Sequence, residues 1–259
     1  MSVPAPAPRA ANAVEALLVE GVERFGGELP GLREWARRRN DRRLFPAKGM
    51  YDWFESQVLY LLLRLTRPRL VVEISPSSGY SSGFILLALN RNAHGRLLSF
   101  DVDTDGESRA RIAFAEARID PSRRRFVAGD ACRTVAAALP AGDSVDVLFI
   151  DAEHSSSFAS WYLGSLVPRV RPGGLVHVHD VLRYGVKPQV VDEGEGEVVW
   201  EYLVKSEIPE SDFLYVAELV RTQPVRAEPL RRLTRYPFDD PRLGTDGVEQ
   251  GPSLWFVRR

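Results

Sequence analysis

Apolar positions along the chain follow one pattern before Leu70 and another after it. Over residues 14–39 they recur at helical spacing (Ala16, Leu17, Val22, Phe25), broken by Gly-Gly-x-x-Pro at 26–30 and resumed at 32–37. The segment DWFESQVLYLLLRL at 52–65 predicts a strongly apolar helix that stops before Pro68. From Leu70 short β-branched runs alternate with helical segments. Strands are expected at 70–74, 96–102, 125–128, 145–150 and 174–179, with helices at 82–90, 107–118, 132–139 and 156–167 between them. Strands without polar alternation, separated by helices, predict a doubly wound, mostly parallel α/β sheet covered on both faces. A helix at 195–204, a partly strand-like run at 213–221 and a closing strand in SLWFVRR bring the sheet to about seven strands.

This pattern divides the chain into a Pro/Ala-rich tail at 1–12, expected to be disordered, a helical cap at 13–66, and an α/β domain at 67–259 with an irregular excursion at 222–250. Composition adds exclusions. With 34 basic and 35 acidic residues the net charge is -1, so no global field favours nucleic acid or an anionic membrane. The apolar runs, such as FILLAL at 84–89, fall far short of the roughly 20 residues a membrane span needs. The N-terminal residues do not read as a signal peptide, and the single cysteine, Cys132, suits a reducing compartment. A cytoplasmic protein without nucleic-acid or membrane partners is expected. Self-association is left open.

Doubly wound sheets bind ligands at the carboxyl ends of their strands, so the residues after each strand carry the candidate chemistry. The first strand end runs Glu73-Ile-Ser-Pro-Ser-Ser-Gly79-Tyr-Ser-Ser82 into a helix whose N–H groups can meet anionic oxygens. Ser81 or Ser82 could equally cap that helix. Glu73 stands where a buried strand should be apolar and is expected to face a ligand rather than the core. The G-x-G-x-x-G fingerprint is absent, which argues against a nicotinamide dinucleotide enzyme. At the second strand end, Asp101 is preferred over Asp103 as the acceptor for ribose hydroxyls. At the third, Asp130 suits either an adenine edge or a helix N-cap.

The fourth strand delivers Asp151 and, three residues on, His154, whose imidazole suits proton abstraction near neutral pH. The fifth carries His177-Val-His179-Asp180, with His177 read as a buried histidine and His179 closer to the edge. The fourth histidine, His94, falls in a loop. Together Asp151, His154, His179 and Asp180 form either an acid–base site or a metal site. Carboxylates with one imidazole would suit magnesium, manganese or ferrous iron.

The segment Val72-Glu-Ile-Ser-Pro-Ser-Ser-Gly79-Tyr-Ser81 resembles the E-[LIV]-G-x-x-x-G-Y-S motif of class I S-adenosylmethionine-dependent methyltransferases, in the branch with metal-dependent catechol-type and sugar O-methyltransferases. It departs at Ser75, where that family usually has glycine, and at Pro76. The block FIDAEHSSSFASWYLGSLVPRVRPGGLVHVHDV is similar to the family's F-I-D-x-x-H, L-x-P-G-G and H-D or E-D elements, and the resemblance spans about residues 43–257. It implies a Rossmann-like domain with S-adenosyl-L-methionine held by Glu73, Ser75, Gly79, Tyr80, Ser81, Asp101, Asp130 and Asp151. Glu73, Gly79 and Ser81 would meet the methionine portion, Asp101 the ribose, Asp130 the adenine amine, and Asp151 the sulfonium region. It also implies His154 as base with Asp151 in the catalytic site, and a divalent cation, magnesium or manganese, on Asp151, His179 and Asp180, His179 replacing the more usual acid.

The expectation is O-methylation of a hydroxylated small molecule such as a sugar moiety, natural product or catechol-like diol. Tyr51, Trp53 and Phe54, with Arg231, Arg232, Arg235, Tyr236 and Phe238 of the excursion, would line the acceptor pocket, although such aromatics more commonly pack a helix onto a sheet. A non-catalytic cofactor-binding protein on the same scaffold is the first alternative, favoured by Ser75-Pro76. A metal-dependent oxygenase or hydrolase is the second, but it would leave Gly79 and Asp101 without a role.

Overall fold

A computed structural model of the chain describes residues 13–46, 51–139, 142, 144–181, 194–208, 212–223, 226–234 and 253–259. The N-terminal part forms α1 (Ala13–Phe25), a 3-10 segment (Gly26–Leu32) that contains Pro30, α2 (Arg33–Arg37) and α3 (Trp53–Thr66). Then follow β1 (Leu70–Ile74), α4 (Tyr80–Asn92), β2 (Arg96–Asp101), α5 (Thr104–Ala117), β3 (Arg124–Ala128), α6 (Ala131–Ala138), β4 (Val145–Ile150) and α7 (Ser156–Ser165). The chain continues through β5 (Val170–Val178), α8 (Glu195–Lys205), β6 (Phe213–Tyr215), α9 (Val216–Thr222) and β7 (Leu254–Val257).

The strands form one sheet in the order β3-β2-β1-β4-β5-β7-β6, with β1 to β5 parallel and β7 antiparallel to both neighbours. The expected α/β class and strand count are therefore found. The strand order reverses between β1 and β4, and this is where such a sheet opens a ligand crevice.

The run at 213–221 is a correction: only three residues are strand, and α9 follows. Val216, Leu219 and Val220 stand at i, i+3 and i+4 and are all buried, so a helical period overrides the partial alternation. Likewise β5 begins at Val170 rather than 174, because the strand continues back through Pro172-Gly173-Gly174 across a register shift opposite Val145/Val147. The 1–12 tail and Arg235, Tyr236 and Phe238 lie outside the described residues.

Period-two alternation assigns each side chain of the sheet to one of two layers. Val72, Ile74, Leu98, Phe100, Leu148, Ile150, Val176 and Val178 pack with α6, α7 and α8. Val71, Leu97, Val147, Phe149, Leu175 and Trp255 pack with α1, α3, α4 and α5, so the N-terminal helices share one apolar cluster with the sheet. On that second face one row of paired positions reads Ser99, Glu73, Phe149, His177, Trp255. Polar residues thus enter a face already closed by helices.

The helix α3 is buried at almost every position because it lies between α1 and α4. A capping box fixes its start: Asp52 accepts the Glu55 backbone N–H at 2.7 Å, and the Glu55 carboxylate turns back to the Asp52 N–H at 3.4 Å. Arg67 in the left-handed region ends it before Pro68. Among the described residues no helix is long and apolar enough to cross a membrane.

Trp35 docks α2 onto α4. Its indole stacks on Tyr80 (6.1 Å between centroids), meets Phe45 and Phe114 at 5.6 Å, and donates to the Tyr80 carbonyl at 3.0 Å. Gly83 makes the approach feasible, since a Cβ there would lie 2.1 Å from the indole. Helix propensity alone says Gly83→Ala gains about 1 kcal/mol. Overpacking a rigid indole costs about 1–3 kcal/mol or more, and with the new carbon placed inside the ring the upper end applies. Gly83→Ala is therefore expected to lower the urea midpoint; an unchanged or raised midpoint would contradict this packing.

Candidate active site

The turn after β1 gathers left-handed backbone: Ser75 has φ 62°, Ser77 47° and Gly79 78°. Ser75 donates its N–H to the Phe100 carbonyl (2.8 Å) and Gly79 to Pro76 (2.8 Å), which folds the turn over the crevice. Gly79 is doubly required, because a Cβ would stand 2.7 Å from that of Ala110. Ser75 occupies the motif's usual glycine position, and its positive φ shows why glycine is the unstrained choice there. Tyr80 points inward, its hydroxyl donating to the Ala36 carbonyl at 3.3 Å. Only its backbone borders the turn.

Glu73 is fully buried and accepts three hydroxyls: Ser81 at 2.7 Å, Ser82 at 2.6 Å and Ser99 at 2.7 Å. Burial pushes its carboxyl above the ordinary range, opposed by nearby Arg124 and those hydroxyls. The structure thus uses Glu73, Ser81 and Ser82 to fasten the first turn of α4 to β1. Asp101 accepts backbone N–H groups from Ser77 (2.7 Å) and Asp103 (3.0 Å), joining the turns after β1 and β2. A carboxylate offers about four acceptor positions, so capacity for a ligand's hydroxyls remains. Asp130 N-caps α6 through Cys132 N–H (2.8 Å) and is half-exposed at the rim.

Parallel ladders carry Asp151 and His179 to the same edge: Asp151 N–H bonds the Ile74 carbonyl at 3.3 Å and His179 N–H the Ile150 carbonyl at 2.9 Å. The two imidazoles then take different places. His179 is buried, with Nδ1 3.1 Å from Asp151 Oδ1 and 3.4 Å from Asp180 Oδ1, and Nε2 3.1 Å from Glu55 Oε2. Burial works against its charge, but Asp151 and Glu55 outweigh it and hold its pKa well above the ordinary histidine value. His154 lies on the open side, with Nδ1 2.8 Å from Glu195 Oε2 and Nε2 3.7 Å from Asp180 Oδ2.

Glu195 is buried and also accepts the Tyr162 hydroxyl at 3.0 Å. Its carboxylate raises the His154 pKa above the ordinary value against the pull of partial burial, with Asp180 and Asp151 adding to it. Gly194 brings α8 close enough for this contact. It bridges Ser155 at φ 113°, and a Cβ would meet that of Ser156 at 2.6 Å.

One ligand atom each of Asp151, His154 and Asp180 lie within 4.8 Å of one another, whereas His179 has a carboxylate on each nitrogen. The arrangement therefore differs from the cation set expected above: His154, not His179, presents a nitrogen to the two aspartates. His177 is buried as expected, stacked on Phe149 at 4.2 Å with Nε2 3.2 Å from the Tyr51 hydroxyl, and burial drives its pKa well down.

Tyr51, Trp53 and Phe54 are buried in the core, and Trp53 Nε1 donates to Thr234 Oγ1 at 2.8 Å. Their contacts, ring packing and these hydrogen bonds, are with the protein's own core. Arg231 and Arg232 stand at the surface, 3.9–4.0 Å from Glu228. Glu55 and Glu195 were not singled out from sequence. For Glu55 the available signal was the D-W-F-E box in a helix too apolar to tolerate an unpartnered acid.

Residues 72–181 match a protein-family model described as a methyltransferase domain. A protein of Mycobacterium sp. (strain JLS), provisionally named as an O-methyltransferase, is 33% identical over 122 residues, covering 47% of this chain and 53% of its own length. The chain thus spans about half the length of curated relatives it matches. Among solved structures, a Klebsiella pneumoniae protein, also provisionally named as an O-methyltransferase, superposes with a TM-score of 0.55 at 22% identity, covering 95% of this chain and 90% of that one. The O-methyltransferase from Bacillus cereus in complex with S-adenosylhomocysteine gives 0.54 at 18% identity, covering 78% of this chain and 90% of that one. At these identities the superpositions establish the fold.

The His154–Glu195 contact has a measurable signature. By NMR titration His154 should ionise above about 6.5, and Glu195→Gln should lower that value. A histidine whose folded-state pKa is raised contributes stability that is complete below its unfolded value and is lost as pH rises through the folded one. Urea midpoints should therefore fall across that window more steeply for the parent than for Glu195→Gln, and equal slopes would count against the pair.

Proposed function

Residues 72–181 match the model of a methyltransferase domain, and from that premise we propose that the protein is a class I S-adenosylmethionine-dependent O-methyltransferase of small hydroxylated molecules. One observation carries the reading. Just after β4, close to Asp151, the imidazole of His154 is partly exposed, held at Nδ1 by the buried Glu195 carboxylate, with Nε2 3.7 Å from Asp180.

S-adenosylmethionine, when bound, supplies a methyl group already activated by its sulfonium. The chain has to align an acceptor oxygen with that methyl and remove its proton. The left-handed turn 75–79 and the start of α4 would receive the methionine portion, Asp101 the ribose hydroxyls and Asp130 the adenine amine. Asp151 would supply negative charge near the sulfonium. His154 Nε2 takes the acceptor's proton, and Glu195 stabilises the resulting imidazolium through Nδ1. A vicinal diol, in a sugar or a catechol-like ring, presents a second hydroxyl to Asp180. A small polar acceptor of this kind fits a cytoplasmic enzyme.

The triad of Asp151, His154 and Asp180 favours a second reading. Two carboxylates and one imidazole form a donor set for a divalent cation, and a histidine whose other nitrogen is held by a carboxylate is the usual second-layer arrangement around metals. Such a cation would lower the pKa of an adjacent hydroxyl. The two readings exclude each other at His154 Nε2, which cannot both accept the proton and bind the ion.

With catechol as probe, His154→Ala should lose about 10²–10⁴-fold in methyl transfer while calorimetry still detects S-adenosylmethionine binding. Full turnover in that variant would remove the base. Unchanged parental activity in excess EDTA, with no metal by elemental analysis, supports the first reading; loss in EDTA restored by magnesium or manganese supports the second.

A further inference from the structure

A carboxylate enclosed in apolar surroundings is costly unless charge or hydrogen bonds answer it. Glu55, on the helix that fills the space between α1 and α4, is fully buried. The capping box explains only part of its placement. The Oε2 contact to Asp52 N–H, at 3.4 Å, lies beyond the usual range for such a bond, whereas the same oxygen is 3.1 Å from His179 Nε2. Ser253, leading into β7, donates to Oε1. The carboxylate is thus drawn towards His179 and away from ideal capping geometry.

His179 passes that constraint on. Its ring is held by Glu55 through Nε2 and by Asp151 through Nδ1, and it lies against the ring of Tyr51 at 5.3 Å. A planar imidazole tied at both nitrogens has almost no freedom to turn. Asp151, by contrast, is partly exposed at the lip of the crevice, where an unsupported aspartate could adopt several rotamers. Groups around a reacting centre must be held within a fraction of an ångström, and a rigid neighbouring layer achieves this.

We infer that Glu55 is a positioning residue which, through His179, fixes the Asp151 carboxylate towards the bound cofactor. The inference rests on the proposed reading for the role of Asp151, and it links the N-terminal helix α3 to the edge of the sheet. Neither Glu55 nor His179 needs to touch the methyl donor or acceptor.

A double-mutant cycle tests it, with S-adenosylmethionine affinity measured by calorimetry in four proteins: parent, Glu55→Ala, Asp151→Asn and the double variant. Glu55→Ala should weaken binding roughly tenfold in the parental background, about 1.4 kcal/mol, and have no further effect once Asp151 is asparagine. An equal loss in both backgrounds would mean that Glu55 acts only through the stability of α3, and would overturn the inference. If Glu55→Ala does not fold, Glu55→Asp takes its place, since it keeps a carboxylate and the Asp52 bond to its backbone N–H but stops one methylene short of His179. Failure of the parent to bind S-adenosylmethionine would refute the proposed function instead. In that event a crystal structure of the Glu55 variant decides the positioning claim: a changed Asp151 rotamer supports it, and an unmoved one rejects it.

Discussion

Buried negative charge is the constraint on which this molecule is organised. Glu55, Glu73 and Glu195 are each almost or wholly inaccessible to water, and each lies within one or two contacts of the carboxyl edge of the sheet. The structure answers them in two ways. Glu73 is surrounded by three neutral hydroxyls and serves as a structural clasp between β1 and α4. Glu55 and Glu195 are each met by a histidine, and each of those histidines also faces an aspartate at the lip of the crevice. Charge buried deep is thereby transmitted to groups that can touch a ligand.

The two imidazoles are not equivalent, although both have raised pKa values. His179 lies deep, with a carboxylate at each nitrogen, which suits it to hold its neighbours still. His154 is partly exposed, with Nδ1 2.8 Å from Glu195 and Nε2 at the longer distance of 3.7 Å from Asp180. The same residue type is thus buried between two carboxylates after β5 and left partly exposed after β4. Backbone geometry supports the division: Gly194 brings Glu195 to His154, and left-handed backbone at Ser75, Ser77 and Gly79 shapes the turn after β1.

Much of the fold was legible because periodicity is a local property. The apolar runs of β1 and β4 and the apolar helix at 52–65 needed only a few residues of context each. The placement of Asp101, Asp151, His154 and Asp180 at one edge of the sheet was legible for a related reason: in a doubly wound sheet the residues after each strand converge. The partners of the histidines were not legible. Glu55 is 124 residues from His179 and Glu195 is 41 from His154, and no spacing rule links residues brought together by the packing of α3 and α8. The strand-like reading of 213–221 went astray for the opposite reason, because three buried positions fit a helix as well as a strand until tertiary packing decides between them.

The central claim is that the crevice between β1 and β4 receives a methyl donor with its sulfur facing Asp151 and His154. A crystal structure with S-adenosylhomocysteine tests this most directly. The account predicts the homocysteine portion against the turn 75–79, the ribose hydroxyls on Asp101, and the sulfur towards Asp151 with His154 Nε2 opening on the same space. A ligand bound elsewhere, or lying with its sulfur turned away from Asp151 and His154, would contradict it.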